Sequence, residues 1–314
     1  MRASTAVPSL RISGLAKAYR GARGVVDINL TVRPGTVTGF IGANGAGKST
    51  TLKCIVGLAR PDAGRVELFG APTSFEARKR IGFLAEERGL AAGERARNVI
   101  AFHARLKGMR RRDAFARADA LLDRVGLGDR TRARVGELSK GNAQRVQLLC
   151  AIAHEPSLLV LDEPFSGLDP IAQAEVQSLF SDFRARGGAI LYSTHSMAFA
   201  ERLCDHVVIV ADGRTVFEGP VAEAAQHAGH GVYVTTDDAT QLKLVVAELG
   251  GHAEALAARF GEALRWKVVL PPQVPYVSLM RALSDRGVSM HGFEPMKADL
   301  EGAFWALAAK RVAA

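Results

Sequence analysis

No stretch of the chain approaches the roughly 18 consecutive apolar residues that a membrane-spanning helix needs, so the sequence is not expected to cross a bilayer by itself. Met1–Pro8 lacks the hydrophobic segment of a secretion signal. There is no low-complexity tract, no repeat of solenoid period and no sustained heptad pattern, which argues against repeat arrays and long coiled coils. Cysteine is scarce: Cys54, Cys150 and Cys204 stand far apart, odd in number and outside metal-ligand spacing. A disulfide framework is therefore not expected, a reducing compartment fits, and buried inert thiols are the plain reading.

What is present suits a large folded chain. Of 314 residues, 48% are apolar and 23% charged, an ordinary globular balance that leaves room for one large domain and a small one. The net charge of +9 is compatible with nucleic acid, anionic lipid or an arginine-rich background. Its densest cluster, "KGMRRRD" at Lys107–Asp113, falls in a helical pattern, where a solvated face is the simple reading and acidic lipid headgroups the sharper one.

Short alternating runs, "VVDINLTV" and "TVTGFIG", broken by "RPG", predict a β-rich opening. A glycine-rich loop, the helical "STTLKCIVGLA" and the strand-like "GRVELFG" follow. Alanine, leucine and arginine at helical spacing over residues 94–135 mark a helical insertion, extending over about 88–155. Strand signals return in "SLLVLD", "GAILYST" and "HVVIVADG", separated by helical segments, which predicts a mostly parallel sheet covered on both faces. Near residue 221 the character changes. The series "VYVTT", a helix over Ala239–Leu249, an apolar stretch at Leu264–Leu270, a helix near Val277–Arg286, "VSMHGFEP" and a closing helix resemble a split βαβ unit. "HAEALAARF" within it fits either helix or strand.

Two motifs carry chemistry on their own. "GANGAGKST", Gly42–Thr50, fits the phosphate-binding pattern G-x-x-x-x-G-K-S/T between a predicted strand and a predicted helix. Glycines such as Gly42, Gly45 and Gly47 let backbone amides near Asn44 approach a phosphate. Lys48 would reach the β and γ phosphates, while Ser49 and Thr50 open the helix, with Ser49 a ligand for magnesium. "LLVLDEP" reads as a buried strand delivering two carboxylates to its C-terminal end, where ligands of open α/β sheets gather. Strand alternation points Asp162 and Glu163 opposite ways, Asp162 towards magnesium and Glu163 towards a water. Surface acids at a strand end would be the plain alternative.

With these motifs, "LSKGNAQRVQ", "SGLDP" and "STHS" follow in an order that resembles the ATP-binding cassette ATPases over residues 8–220. The resemblance implies a P-loop NTPase core of α/β class with an N-terminal antiparallel β subdomain and a helical insertion. Residues 221–314 would then form a small α+β regulatory or partner-binding domain. ATP and Mg2+ are the implied cofactors. Tyr19 matches the aromatic that stacks on adenine, Asp169 the residue linking two sites, and His195 the γ-phosphate-sensing switch. The alternatives are core packing for Tyr19 and a polar strand cap for His195. The signature departs from L-S-G-G-Q, with Lys140 for a glycine and Asn142 for glutamine. Glu86 in "IGFLAEERGL" stands where most members have a glutamine that reaches magnesium. "AEERGL" and the tail resemble a subgroup of sodium-extrusion and export-type ATPase subunits.

"LSKGNAQRVQ" has no carboxylate, histidine or cysteine, but Ser139, Gly141 and Asn142 offer a hydroxyl, backbone amides and a helix N-terminus to an anion. In the resembled family that anion is the γ phosphate held by another subunit. Two copies, or a copy and a paralogue, then sandwich ATP head to tail. The implied setting is cytoplasmic, peripheral on the inner face of the membrane through a separate multi-span permease, most simply an exporter. The rival reading is a soluble cassette ATPase acting on ribosomes or nucleic acid. A single cassette without heptads weighs against it, so no nucleic acid partner is expected.

Overall fold

The computed structural model describes residues 6–19, 22–87, 89–228, 230–256, 264–271, 273–296 and 299–312. It divides into two compact units, Met1–Pro220 and Val221–Ala314.

The first unit opens with β1 (Leu10–Tyr19), β2 (Ala22–Val32) and β3 (Val37–Gly42), then α1 (Lys48–Val56), β4 (Ala63–Leu68), β5 (Ala71–Pro72), α2 (Phe75–Lys79) and β6 (Ile81–Leu84). Three longer helices follow, α3 (Ala96–Leu106), α4 (Arg111–Arg124) and α5 (Lys140–Ile152). The unit closes with β7 (Leu158–Asp162), α6 (Pro170–Ala185), β8 (Ala189–Thr194), α7 (Met197–Leu203), β9 (His206–Ala211) and β10 (Arg214–Pro220). One sheet joins all ten strands in the order β5-β4-β1-β2-β10-β9-β3-β8-β7-β6. β1 is antiparallel to both β2 and β4, whereas β9, β3, β8, β7 and β6 run parallel.

Alternation along the parallel strands explains their unbroken apolar runs. Leu158 and Val160 of β7 and Leu191 of β8 enter one core with α1 and the antiparallel strands. Leu159, Leu161, Ile190 and Tyr192 enter the other, with α3–α6. Each such side chain contributes roughly 1.5–3 kcal/mol on leaving water. The chemistry is thus carried on strand ends clamped from both faces. The basic cluster Lys107–Asp113 spans the exposed turn between α3 and the start of α4, and Lys107 donates to the Arg78 carbonyl.

The second unit contains α8 (Val221–Gln226), β11 (His230–Thr236), α9 (Ala239–Glu248), β12 (His252–Ala255), β13 (Arg265–Leu270), α10 (Tyr276–Asp285), β14 (Met290–Pro295) and α11 (Leu300–Val312). Its sheet is antiparallel, in the order β12-β13-β11-β14. Val232, Val234, Trp266 and Val268 turn one face towards Leu242 and Val246 of α9 and Leu279 and Leu283 of α10. The ambiguous "HAEALAARF" is strand at residues 252–255, and residues 257–260 lie outside those described.

Candidate active site

The loop between β3 and α1 is shaped by glycine. Gly45 and Gly47 take φ of 81° and 101°, and a Cβ at Gly47 would lie 2.2 Å from Val25 Cγ1. Gly47 caps α1 without a side-chain hydrogen bond, so the first helical amides keep their capacity for an anion. Lys48 folds back over the loop, its Nζ donating to the carbonyls of Gly42 at 2.7 Å and Ala43 at 3.2 Å. Burial pushes its pKa below the ordinary lysine range, opposed by the charges of Glu163, Asp162 and Glu86.

Asp162 and Glu163 do not diverge as alternation predicts; both line the same cavity. β7 ends at Asp162, and Glu163 adopts a left-handed backbone with φ 49°, which turns its side chain back. Ser193, paired with Asp162 across the parallel register, fixes the corner. Its hydroxyl donates to Asp162 Oδ1, while the Glu163 amide donates to Ser193 Oγ and to its carbonyl, both at 3.3 Å. Glu163 Oε1 in turn accepts the His195 amide at 3.0 Å and the His195 ring Nδ1 at 2.8 Å. An ionised carboxylate has no proton to give, so Nδ1 carries the hydrogen.

The cavity, of about 420 Å³, collects Asn44, Gly45, Gly47, Lys48, Ser49, Thr50, Glu86, Asp162, Glu163 and His195. Gly42 is not in its lining and enters through the carbonyl that holds Lys48. Tyr19 also stands outside it, at the end of β1; at 40% exposure it is not a core residue, and Lys17 Nζ lies 5.6 Å from its ring centroid. Among the described residues no group of three or more His, Cys, Asp or Glu has metal-holding geometry. The carboxylates therefore fit a cation only together with oxygens from a bound nucleotide and water, the usual manner of magnesium.

The remaining candidates gather elsewhere. Ser139 caps α5 by accepting the Asn142 amide at 3.3 Å, and Asp169 caps α6 by accepting the Ala172 amide at 2.8 Å. Asn142 Oδ1 accepts from Arg145 at 2.5 Å. A Cβ at Gly141 would lie 3.5 Å from the Gly167 carbonyl, and one at Gly167 would lie 3.0 Å from Lys140 Cε. "LSKGN" and "SGLDP" thus form one surface. Ser139, Lys140 and Asp169 are exposed there, and none lines the Lys48 cavity.

Sequence reasoning missed Ser193 and Gln147. Ser193 stands two residues before His195 at the end of β8, a position that parallel pairing with "LLVLD" could have suggested. Gln147 donates to carbonyls beside Glu86, and nothing local in the sequence signals it.

The profile of the family described as "ABC transporter" matches residues 25–166. The uncharacterized ABC transporter ATP-binding protein YhaQ of Bacillus subtilis is 36% identical over 230 residues, covering 73% of this chain and 77% of the relative. The chain belongs to the ABC transporter ATP-binding proteins. It is an ATPase, the ATP-binding and ATP-hydrolysing subunit of such a transporter. The daunorubicin resistance ATP-binding protein DrrA3 of Streptomyces coeruleorubidus is 36% identical, covering 77% of this chain and 78% of the relative. The bacitracin transport ATP-binding protein BcrA of Bacillus licheniformis is 36% identical, with 67% and 69% covered. A solved "ATP binding subunit of ABC transporter" superposes with TM-score 0.65 at 32% identity, covering 69% of this chain and 92% of that one. CbiO1 of Clostridium perfringens, part of the transporter complex cbiONQ, gives TM-score 0.60 at 27% identity, with 68% and 88% covered. No described helix is long and apolar enough to cross a membrane.

Proposed function

We propose that this ATPase powers export through a separate multi-span permease, working as a head-to-tail dimer with a second copy or a paralogue. The observation that carries the catalytic part is Glu163, held by His195 in the cavity that also contains Lys48. Lys48 and the amides at the start of α1 bind the β and γ phosphates, and Tyr19, exposed at the end of β1, stacks on adenine. Glu163 accepts the proton of the attacking water while His195 orients the carboxylate and meets the γ phosphate. Ser49, Asp162 and Glu86 would hold Mg2+ with the phosphates; when bound, the ion neutralises charge developing on the transferred group.

Separation of the signature surface from the Lys48 cavity supports a composite site, in which Ser139, Gly141 and Asn142 meet the partner's γ phosphate and Asp169 links the two sites. Export is supported by the names of relatives, which concern bacitracin transport and daunorubicin resistance. Peripheral attachment at the inner membrane face follows from a permease partner, and the unit of residues 221–314 serves regulation or partner choice. Isolating the tagged chain from detergent-solubilised membranes tests the proposal. A co-purifying multi-span protein and ATP hydrolysis by the complex are expected; recovery on salt-washed ribosomes without such a partner would reverse it.

A further inference from the structure

We propose that Gln147 is a positioning residue that ties the signature helix to the loop carrying Glu86. Gln147 lies on α5, eight residues beyond Ser139 and therefore about 12 Å along the helix. It is only 7% exposed, and its Nε2 donates to the carbonyls of Ala85 at 2.9 Å and Glu87 at 3.3 Å. These are the carbonyls of the residues on either side of Glu86. The amide cannot be reversed, because its oxygen would then face two carbonyl oxygens.

The arrangement is costly for mere packing. Among the described residues Gln147 Oε1 is buried without a partner, and a leucine there would fill the space without burying a polar atom. What the amide adds is a grip on a segment just past the end of β6. The Glu86 carboxylate itself makes no hydrogen bond among the described residues, so the backbone that Gln147 holds sets its position. Glu86 lines the cavity, and its charge is felt by Lys48. A shift of α5, capped by Ser139, therefore moves Glu86 relative to Lys48. This relay rests on the proposed function in one respect: Ser139 meets a phosphate and Glu86 faces the nucleotide.

The test is a double-mutant comparison in the full chain. Gln147→Met keeps the volume and removes the donor; it is measured alone and in a Glu86→Ala background for kcat, ATP KM and thermal midpoint. Gln147→Met alone should lower kcat about tenfold, the worth of one positioned hydrogen bond, with ATP KM within about twofold of wild type. In the Glu86→Ala background its effect on kcat should vanish, while the drop in thermal midpoint stays the same in both. Equal loss of kcat in the two backgrounds overturns the relay. If Glu86→Ala alone leaves kcat and KM unchanged, the relay falls because Glu86 itself has no role, a failure visible before Gln147 is altered. Should the methionine variant not fold, Gln147→Asn, one methylene too short to reach, carries the same comparison.

Discussion

Glu163 and His195 are joined twice through a single oxygen: Oε1 accepts both the His195 amide and its ring Nδ1. The pair differs in environment, with the Glu163 side chain 13% exposed and that of His195 64%. A shielded carboxylate held by an exposed ring suits a base whose direction depends on what the ring meets. Glu163→Gln keeps an oxygen for both His195 donors but cannot take a proton. It should bind ATP with near wild-type affinity and lose roughly 100- to 10,000-fold in kcat. Phosphate release and equilibrium nucleotide binding check this, and near wild-type turnover would remove Glu163 from the role.

His154, just after α5, gives an acid-side prediction. Its Nε2 lies 3.1 Å from the Ile81 carbonyl and its Nδ1 is buried without a partner among the described residues, so a second proton would meet no acceptor there. Burial first, then the charge of Lys107, pushes its pKa down to about 4 from the ordinary 6.5. The unfolded chain takes up a proton as pH falls through the ordinary value, and the folded chain does not until near the lowered one. Stability is therefore intact above about pH 6.5 and lost on descending from there, by roughly 2 kcal/mol once partial exposure is allowed for. His103, lowered by burial and Lys107, adds in the same direction. Urea unfolding of wild type and His154→Gln at about pH 7.5 and about pH 5 should show a smaller acid loss in the variant; equal losses would refute the assignment.

The parts legible in the sequence are those whose chemistry sits in consecutive residues. "GANGAGKST" and "LLVLDEP" supply Lys48, Ser49, Asp162 and Glu163 within short segments, and the alternating series β11, α9, β13, α10, β14 and α11 of the tail follows from periodicity. The direction of Glu163 was not legible, because alternation stops where the strand stops and a left-handed residue follows. Nor was Gln147, whose partners lie 62 and 60 residues away in the chain. "HAEALAARF" was ambiguous because alanine-rich spacing satisfies both periods, and pairing with β13 decides residues 252–255.

Each unit has its own core, and every described residue lining the Lys48 cavity lies between Asn44 and His195. A chain ending at Pro220 should thus bind ATP within about threefold of the full chain, a difference of under 1 kcal/mol. Calorimetric titration with a nonhydrolysable analogue checks it. A soluble, folded truncation that fails to bind would show that residues 221–314 belong to the nucleotide site.

The exposed surface of Ser139, Lys140 and Asp169, apart from the cavity of Lys48, leads to the question of which chain's nucleotide the signature serves. Lys48→Ala removes the cation from a chain's own phosphate loop, and Ser139→Arg puts bulk and charge at the N-terminus of α5. Each variant alone should be nearly inactive. A mixed dimer, however, contains one composite site with an intact Lys48 from one chain and an intact Ser139 from the other. If the signature acts in trans, that site works. One well-placed donor to a developing charge is worth about 3–4 kcal/mol, so recovery from the background of either variant should exceed 100-fold at a working site. Phosphate release after subunit exchange measures it. Silence in mixed dimers that demonstrably form with ATP bound would mean action in cis or an obligate pair of sites. A photoreactive γ-phosphate analogue loaded on one distinguishable chain separates those cases, because only action in trans places the crosslink on residues 138–147 of the other chain.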